Sequence, residues 1–190
     1  EGYYKTLDNL LEYRDGHTFT PSFVNWEDKL TAGEGRSYGA EFMVRKETGR
    51  TTGWVGYGLS WSDRQFDELN QGARYPARFD NRHKLNIVVM HKISPKDELS
   101  AAWSYASGNH VTLSLENYYE NGTGSPTNND NHYMDASESI DYYEGRNNYQ
   151  LPAYHRLDLG IKIYRPKKKG RMGIWTVSIY NVYSRMNPFM

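Results

Sequence analysis

The feature that most constrains this chain is an alternation of apolar and polar side chains with a period of two residues. A β-strand places successive side chains on opposite faces, whereas a helix would scatter the same residues around its axis. Within residues 154–164 the apolar positions are Leu157, Leu159, Ile161 and Ile163, and the positions between them are Arg156, Asp158, Gly160 and Lys162. The same rhythm occurs in residues 38–45, 55–61, 82–93, 99–105 and 175–179, with a poorer strand in residues 3–13. The pattern predicts an all-β fold of about seven strands.

The connections between these candidate strands alternate between short and long. The short ones carry Gly or Pro and are residues 47–52, 94–98 and 165–171. The long, polar ones are residues 14–33, 62–81 and 107–152, the last of which is Asn-rich and has no alternation of its own. Antiparallel strands with short turns at one end and long loops at the other are typical of outer-membrane barrels. Long structureless loops are unusual in compact soluble domains.

The two faces of the strands favour the same architecture. Each apolar stripe covers about four alternating positions, close to what a tilted strand of roughly 9 to 11 residues needs to cross a bilayer. The opposite face carries charges, which suits a polar lumen, whereas a soluble sandwich would have to pack its apolar faces together. We therefore expect antiparallel transmembrane β-barrel strands. Aromatic residues near the predicted strand ends would form interfacial girdles, and they are Tyr38, Trp61, Tyr105, Tyr164, Trp175 and Tyr183.

Composition excludes several classes of function. The chain of 190 residues has 23 Lys and Arg, 23 Asp and Glu, and no Cys. A neutral chain lacks the basic surface of a nucleic-acid-binding protein, so we expect no nucleic-acid partner. Without Cys, thiolate metal sites and Cys nucleophiles are excluded. No apolar run approaches the roughly 20 residues of a membrane helix, and no enzyme motif is present; we expect no enzyme activity and no cofactor.

Five blocks of sequence, taken in chain order, resemble one family. They are residues 3–13, 35–41 (GRSYGAE), 75–83 (YPARFDNRH), 103–108 (WSYASG) and 181–189 (NVYSRMNPF). Together they resemble the C-terminal barrel region of TonB-dependent outer-membrane receptors of the Bacteroidota type. Each block alone is only moderately specific, and the strength of the resemblance lies in their order and in their coverage of nearly the whole chain.

The resemblance implies a part of a roughly 22-stranded barrel that surrounds an N-terminal plug domain. Such receptors are active transporters of the Gram-negative cell outer membrane. They import large scarce nutrients, such as siderophores, cobalamin, oligosaccharides or peptides, with energy supplied by TonB. Residues 1–190 would be a C-terminal part of the barrel domain, with the plug domain and the final strands absent. The implied partners are outer-membrane lipid, the TonB complex through the absent plug, a surface lipoprotein and the imported substrate.

Two sets of side chains are candidates for function. The alternation assigns a charged wall to the lumen, formed by Arg78, Asp80, Arg82, Lys84, Arg156 and Asp158. The longest connection would be an extracellular loop whose rings could contact substrate, namely Tyr118, Tyr119, Tyr133, Tyr142 and Tyr143. The same loop has carboxylates that are weak candidates for calcium, chiefly Asp130, Asp135 and Glu138. No metal-binding loop motif accompanies them, so the sequence predicts no metal site.

Two other functions remain open from sequence. The first is a small stand-alone outer-membrane barrel with a structural or adhesive role, which would require an eighth strand because bacterial single-chain barrels have even strand numbers. The second is a soluble carbohydrate-binding β-sandwich or a hydrolase. A sandwich would require a second layer packed on the apolar faces of the strands.

Overall fold

The computed structural model describes residues 1–15, 25–119, 139–168 and 171–188. Its strands are β1 (Gly2–Tyr13), β2 (Leu30–Lys46), β3 (Thr51–Gln65), β4 (Tyr75–Pro76), β5 (His83–Ser94), β6 (Asp97–Ala106), β7 (His110–Val111), β8 (Glu116–Tyr119), β9 (Ser139–Tyr142), β10 (Tyr149–Gln150), β11 (Tyr154–Pro166) and β12 (Met172–Ile179). Two single 3₁₀ turns lie at Trp26–Lys29 and Asn70–Gly72. Among the described residues there is no helix of the length and apolarity needed to span a membrane.

One antiparallel sheet contains all seven long strands in the order β1-β2-β3-β5-β6-β11-β12, and β4 pairs with the loop-side part of β3. The sequence prediction of an all-β antiparallel fold is therefore confirmed. The turns β2–β3, β5–β6 and β11–β12 lie together at one end of the strands, which we call the turn end. The connections β1–β2, β3–β5 and β6–β11 lie at the opposite end of the strands, which we call the loop end.

The registers align the apolar stripes of neighbouring strands into one surface, which we call the apolar face. A representative row crosses five strands through Val44, Val55, Ile87, Trp103 and Leu157. The adjacent row on the opposite, polar face passes through Met43, Gly56, Asn86, Ser104 and Arg156. Because the side-chain period is two residues, a shift of one residue in any pairing would break this separation. The parity predicted from sequence is thus kept across the sheet.

The apolar face is largely uncovered. Val44 is 73% exposed, Phe42 63% and Trp175 68%, although all three lie on this face. The buried apolar side chains of the described residues are only Phe66, Leu69, Tyr75 and Ala77. They lie between the end of β3 and the start of β5, so the small core covers the loop end and not the apolar face. The second layer required by a β-sandwich is not found in the described part of the chain.

The connection between β6 and β11 differs from the structureless loop expected from sequence. Its described parts form two short antiparallel pairs, β7 with β10 and β8 with β9, each of which is a two-stranded sheet separate from the large one. Strands of two to four residues are too short to show an alternation in the sequence. A close backbone approach supports the first pair, since a Cβ at Gly108 would lie 1.7 Å from the carbonyl oxygen of Leu151. The connection therefore begins and ends in paired strands. We call these strands, β7 to β10, the ribbon.

Candidate functional site

The segment between β3 and β5 folds back over the polar face at the loop end. Phe66 lies on Gly33, where a Cβ would be only 2.3 Å from the Cδ1 atom of the ring. Phe66, Leu69 and Tyr75 pack together, and Leu10 of β1 packs against them. Glycine at position 33 thus leaves the space in which this apolar cluster sits. The cluster fixes the segment that carries the first candidate site residues.

A buried polar framework holds residues 75–83 between β3 and the start of the β6–β11 connection. Asp80, which is 3% exposed, accepts a hydrogen bond from the backbone N–H of Ser62 at 2.9 Å. Asn81 donates from Nδ2 to Asn109 Oδ1 at 2.6 Å and to the carbonyl of Ser107 at 2.8 Å. Buried polar groups are costly unless they are paired, so these bonds define one conformation for the segment.

Arg146, just before β10, ties the ribbon to the end of β1. It donates to the carbonyl oxygen of Tyr13 at 2.9 Å and to Asp15 Oδ1 at 2.7 Å, and it lies 3.4 Å from Glu12 Oε1. Its side chain is only 16% exposed. Glu12 also accepts a hydrogen bond from Arg64 at 2.9 Å. Two carboxylates and two guanidinium groups therefore form one network across elements that are distant in sequence.

An open cavity of about 340 Å³ adjoins this network. Its lining residues are Glu12, Arg64, Arg78, His110, Val111, Thr112 and Asn147. Asn147 is fixed by two hydrogen bonds, from its Nδ2 to the carbonyl of Pro76 at 2.8 Å and from its backbone N–H to Thr112 Oγ1 at 3.0 Å. We call this space the loop-end cavity. It is formed by β1, β3, β7 and the two long connections β3–β5 and β6–β11.

Two residues of the cavity have a polar group without a partner among the described residues, and only that of Arg78 is open to solvent. Arg78 has no carboxylate partner among the described residues, and its guanidinium carbon lies 5.6 Å from the centre of the Phe79 ring. The Nδ1 atom of His110 is buried without a hydrogen-bond partner in the described part of the chain. Burial lowers the pKa of His110, more than the opposing charge of Asp80 raises it. The imidazole is therefore neutral at pH 7.

The six charged residues predicted to line the lumen separate into distinct surroundings. Arg78 lines the cavity, and Asp80 belongs to the buried framework. Arg82 bonds to Asp80 at 3.1 Å, but its guanidinium lies 5.0 Å from the centre of Trp61, a ring of the apolar face. This placement differs from the luminal one expected by parity, because Arg82 lies just before β5, where the strand pleat does not fix the direction of its long side chain.

The other three predicted charges lie on the polar face within the sheet. Lys84 of β5 pairs with Gly58 and Ala106 in register. Arg156 and Asp158 of β11 form an ion pair of 3.0 Å, and Arg156 also lies 4.0 Å from the ring centre of Tyr180. Asp158 accepts a further hydrogen bond from the backbone N–H of Asn181 at 2.9 Å. This second group is separate from the loop-end cavity in its contacts.

The predicted loop tyrosines are only partly described. Tyr118 and Tyr119 lie in β8 and Tyr142 lies in β9, where the backbone pairing is described but the side chains are not. Tyr133 lies outside the described residues, as do the calcium candidates Asp130, Asp135 and Glu138. Tyr143 donates its hydroxyl hydrogen bond to Asp15. Burial, with a further contribution from that bond, raises the pKa of Tyr143, which keeps the hydroxyl protonated at neutral pH.

Aromatic rings form a row along the loop end of the apolar face. Tyr4 stacks on Tyr38 at a centroid distance of 6.0 Å, and Tyr38 stacks on Trp61 at 5.3 Å. Two histidines continue the row, with His83 bonded to the Tyr57 hydroxyl and His155 bonded to the Tyr183 hydroxyl, each at 2.8 Å. Of the other girdle candidates, Tyr105 stacks on Trp103 and Trp175 shares the apolar face. Tyr164 pairs with Ile174 and therefore lies on the polar face, not on the apolar face with the other rings.

Of the residues that line the cavity, sequence reasoning named only Arg78, and it also missed Arg146 in the adjoining network. The missed lining residues are Glu12, Arg64, His110, Val111, Thr112 and Asn147. They lie at strand ends or in the ribbon, where no periodic pattern distinguishes them from ordinary loop residues. Among the described residues, no group of three or more His, Asp or Glu side chains is placed to hold a metal ion. In comparisons with known proteins, no family model, no curated protein and no solved structure matches this chain.

Proposed function

We propose that this chain forms part of the wall of an outer-membrane β-barrel in a TonB-dependent active transporter. The observation that carries the proposal is the apolar face, which is continuous across β2, β3, β5, β6, β11 and β12 and largely uncovered. Water-soluble monomers rarely expose apolar patches larger than a few hundred Å². Lipid hydrocarbon would remove that cost without a second protein layer. A soluble carbohydrate-binding sandwich would need that layer, and the described residues supply none.

The two ends of the sheet support a defined orientation. The connections at the turn end are short, whereas those at the loop end hold the cavity, the buried framework and the ribbon. Outer-membrane barrels have short periplasmic turns and longer extracellular loops. The stacked aromatic row on the apolar face at the loop end matches the position of an interfacial girdle. We infer that the loop end faces the outside of the cell.

The polar face would line the lumen of the barrel. It carries Lys84, Arg156 and Asp158, and its loop end opens into the cavity beside Arg78. In this proposal the chain catalyses no reaction and provides the wall and part of the binding surface for a large scarce nutrient. A siderophore, cobalamin, an oligosaccharide or a peptide would be imported with energy passed from TonB through a plug domain. Outer-membrane lipid contacts the apolar face, and a surface lipoprotein would cover the loop end.

Cysteine labelling tests the membrane orientation, since the chain has no Cys of its own. Single substitutions at Leu157, Leu159 and Ile161 place thiols on the apolar face, and those at Asp158 and Lys162 place them on the polar face. Expressed in Gram-negative cells, the protein should react with a hydrophilic maleimide only at the polar-face positions. Labelling without alternation, or recovery of the protein in the soluble fraction, contradicts the proposed barrel wall.

Two further cysteines test the direction of the sheet. Asn70→Cys lies at the loop end and Lys96→Cys lies in a short turn. In intact cells an impermeant maleimide should label position 70 and leave position 96 unlabelled until the outer membrane is opened. The reverse pattern contradicts the assigned orientation.

Transport itself is tested by growth on a supplied nutrient. Cells that depend on the transporter for ferric siderophore, cobalamin or an oligosaccharide should lose growth when TonB is deleted. Unchanged growth in all three media would contradict an energised importer for these nutrients while leaving the labelling results to be judged separately.

A further inference from the structure

We propose that the loop-end cavity binds a small hydroxylated carboxylate, the chemical class of the acidic sugars, through Arg78, Thr112 and Asn147. This deepens the transport proposal by naming a substrate class, and it rests on that proposal only for the claim that the bound molecule is cargo. The binding itself follows from the cavity.

The anchor for the carboxylate is the guanidinium of Arg78. Every other guanidinium bordering the cavity network has an acidic partner, since Arg64 bonds to Glu12 and Arg146 bonds to Asp15. Within the described residues the guanidinium of Arg78 has only the contact with the ring of Phe79, over which it lies. The lining residues carry two guanidinium groups and one carboxylate, which leaves a net positive charge. A planar guanidinium binds a carboxylate through two parallel hydrogen bonds.

His110 forms part of the cavity wall. Its backbone N–H is bonded to the carbonyl of Arg78 at 2.9 Å, which holds the backbones of the two residues together. Its Nδ1 atom is buried with no hydrogen-bond partner in the described part of the chain. A buried polar atom without a partner is costly. Because Nδ1 is closed to solvent, a ligand in the open cavity does not reach it, and His110 contributes to the wall of the cavity and not to a hydrogen bond with the ligand.

The opposite side of the cavity suits hydroxyl groups. Thr112 accepts a hydrogen bond at Oγ1 from Asn147, and its own hydroxyl proton remains free to donate. The Nδ2 atom of Asn147 is held by the carbonyl of Pro76, which leaves its Oδ1 atom as an acceptor. Glu12 has lone pairs beyond those used by Arg64. One donor and two acceptors are thus fixed before a ligand arrives, which lowers the entropic cost of binding.

The size and lining of the cavity narrow the ligand class further. A volume of about 340 Å³ is at the lower end of the range for small-molecule pockets. The lining residues that the structure describes include no Tyr, Trp or Phe. A flat aromatic ligand would therefore find no ring to stack on. A compact molecule with one carboxylate and several hydroxyl groups matches the charge, the polar atoms and the volume together.

The test is isothermal titration calorimetry of the full chain folded in detergent micelles. The probes are D-galacturonate, D-galactose, acetate and inorganic phosphate. Galacturonate should bind at least roughly tenfold more tightly than the other three, because only it combines the carboxylate with the hydroxyl groups. Arg78→Gln should weaken galacturonate binding by roughly tenfold or more. Arg45→Gln changes an exposed arginine at the turn end that pairs with Glu47, and it should leave binding unchanged.

Several outcomes would overturn the inference. They are an absence of galacturonate binding, equal binding of galactose, equal binding of phosphate, or the same loss in Arg78→Gln and Arg45→Gln. If Arg78→Gln fails to fold by circular dichroism, Thr112→Val takes its place, because it removes one hydroxyl contact and retains the guanidinium. The measurement needs no membrane orientation and the cysteine labelling needs no ligand, so this inference and the proposed function fail independently.

Discussion

An arginine placed at the centre of the apolar face should separate a lipid-facing sheet from a water-facing one. Leu159 is the third of five apolar-face positions in β11, which run from His155 to Ile163. Eight residues at about 3.3 Å each extend roughly 26 Å along the strand. With a tilt of roughly 40°, this is about 20 Å along the membrane normal. Leu159 would therefore lie close to the bilayer midplane.

The two environments predict different costs for Leu159→Arg. At the midplane of a membrane barrel, an arginine on the lipid side costs roughly 2 to 4 kcal/mol. On a water-exposed sheet the cost would be within about 0.5 kcal/mol, since Leu159 is already 39% exposed. The lipid case corresponds to a loss of roughly 30-fold to 1,000-fold in the folding equilibrium.

The matched control is Ser100→Arg, because Ser100 lies opposite Gly160 on the polar face of the adjacent strand. Glycine leaves room there for the long side chain, so this variant should cost less than about 1 kcal/mol. Each variant is folded into phosphatidylcholine vesicles and titrated with urea, with tryptophan fluorescence as the readout. Equal costs at both positions, or a larger cost at Ser100, would refute the assignment of the faces.

Three further perturbations test the loop end. Gly33→Ala should lower the free energy of unfolding by roughly 1 to 3 kcal/mol because its Cβ meets the buried Phe66 ring, while Gly58→Ala, with its nearest atoms at 4.0 Å, should change urea unfolding little. Arg146→Gln should lower the free energy of opening of the ribbon by roughly 1.5 to 3 kcal/mol, which is seen as faster hydrogen exchange. Loss of the exposed ion pair in Arg45→Gln should have almost no effect on exchange, and equal effects of the two substitutions would contradict the network. Burial lowers the pKa of His110 in the folded state, so stability present above pH about 6.5 should be lost as the pH falls; His110→Gln should abolish that dependence in unfolding measured between pH 8 and pH 5, and a persistent slope would assign it to another group.

The strands of the large sheet were predictable because their signal is local. Apolar positions two residues apart, as in Leu157 and Leu159, identify a face without knowledge of the partner strand. The short turns were equally visible through their Gly and Pro residues. Antiparallel neighbours joined by a tight turn must pair with each other, so the order of β2-β3 and β5-β6 also followed.

The loop-end cavity could not be predicted in this way. Glu12, Arg78 and His110 belong to β1, to the β3–β5 connection and to β7 respectively, and no spacing in the sequence relates them. Their proximity depends on Phe66 filling the space above Gly33 and on Asn81 bonding to Asn109. Parity also failed for Arg82, whose long side chain leaves the polar face and lies over Trp61. Long side chains beyond a strand end are not constrained by the pleat.

The sequence by itself determined an all-β chain with one apolar and one polar side, because side-chain alternation follows from the geometry of a single strand. Only the tertiary structure decided that the apolar sides join into one uncovered surface and that an arginine and a histidine from distant parts of the chain line one cavity. These results depend on strand register and on loop packing, which involve residues far apart in the chain. The apolar face favours a membrane wall, and the cavity carries the proposed specificity.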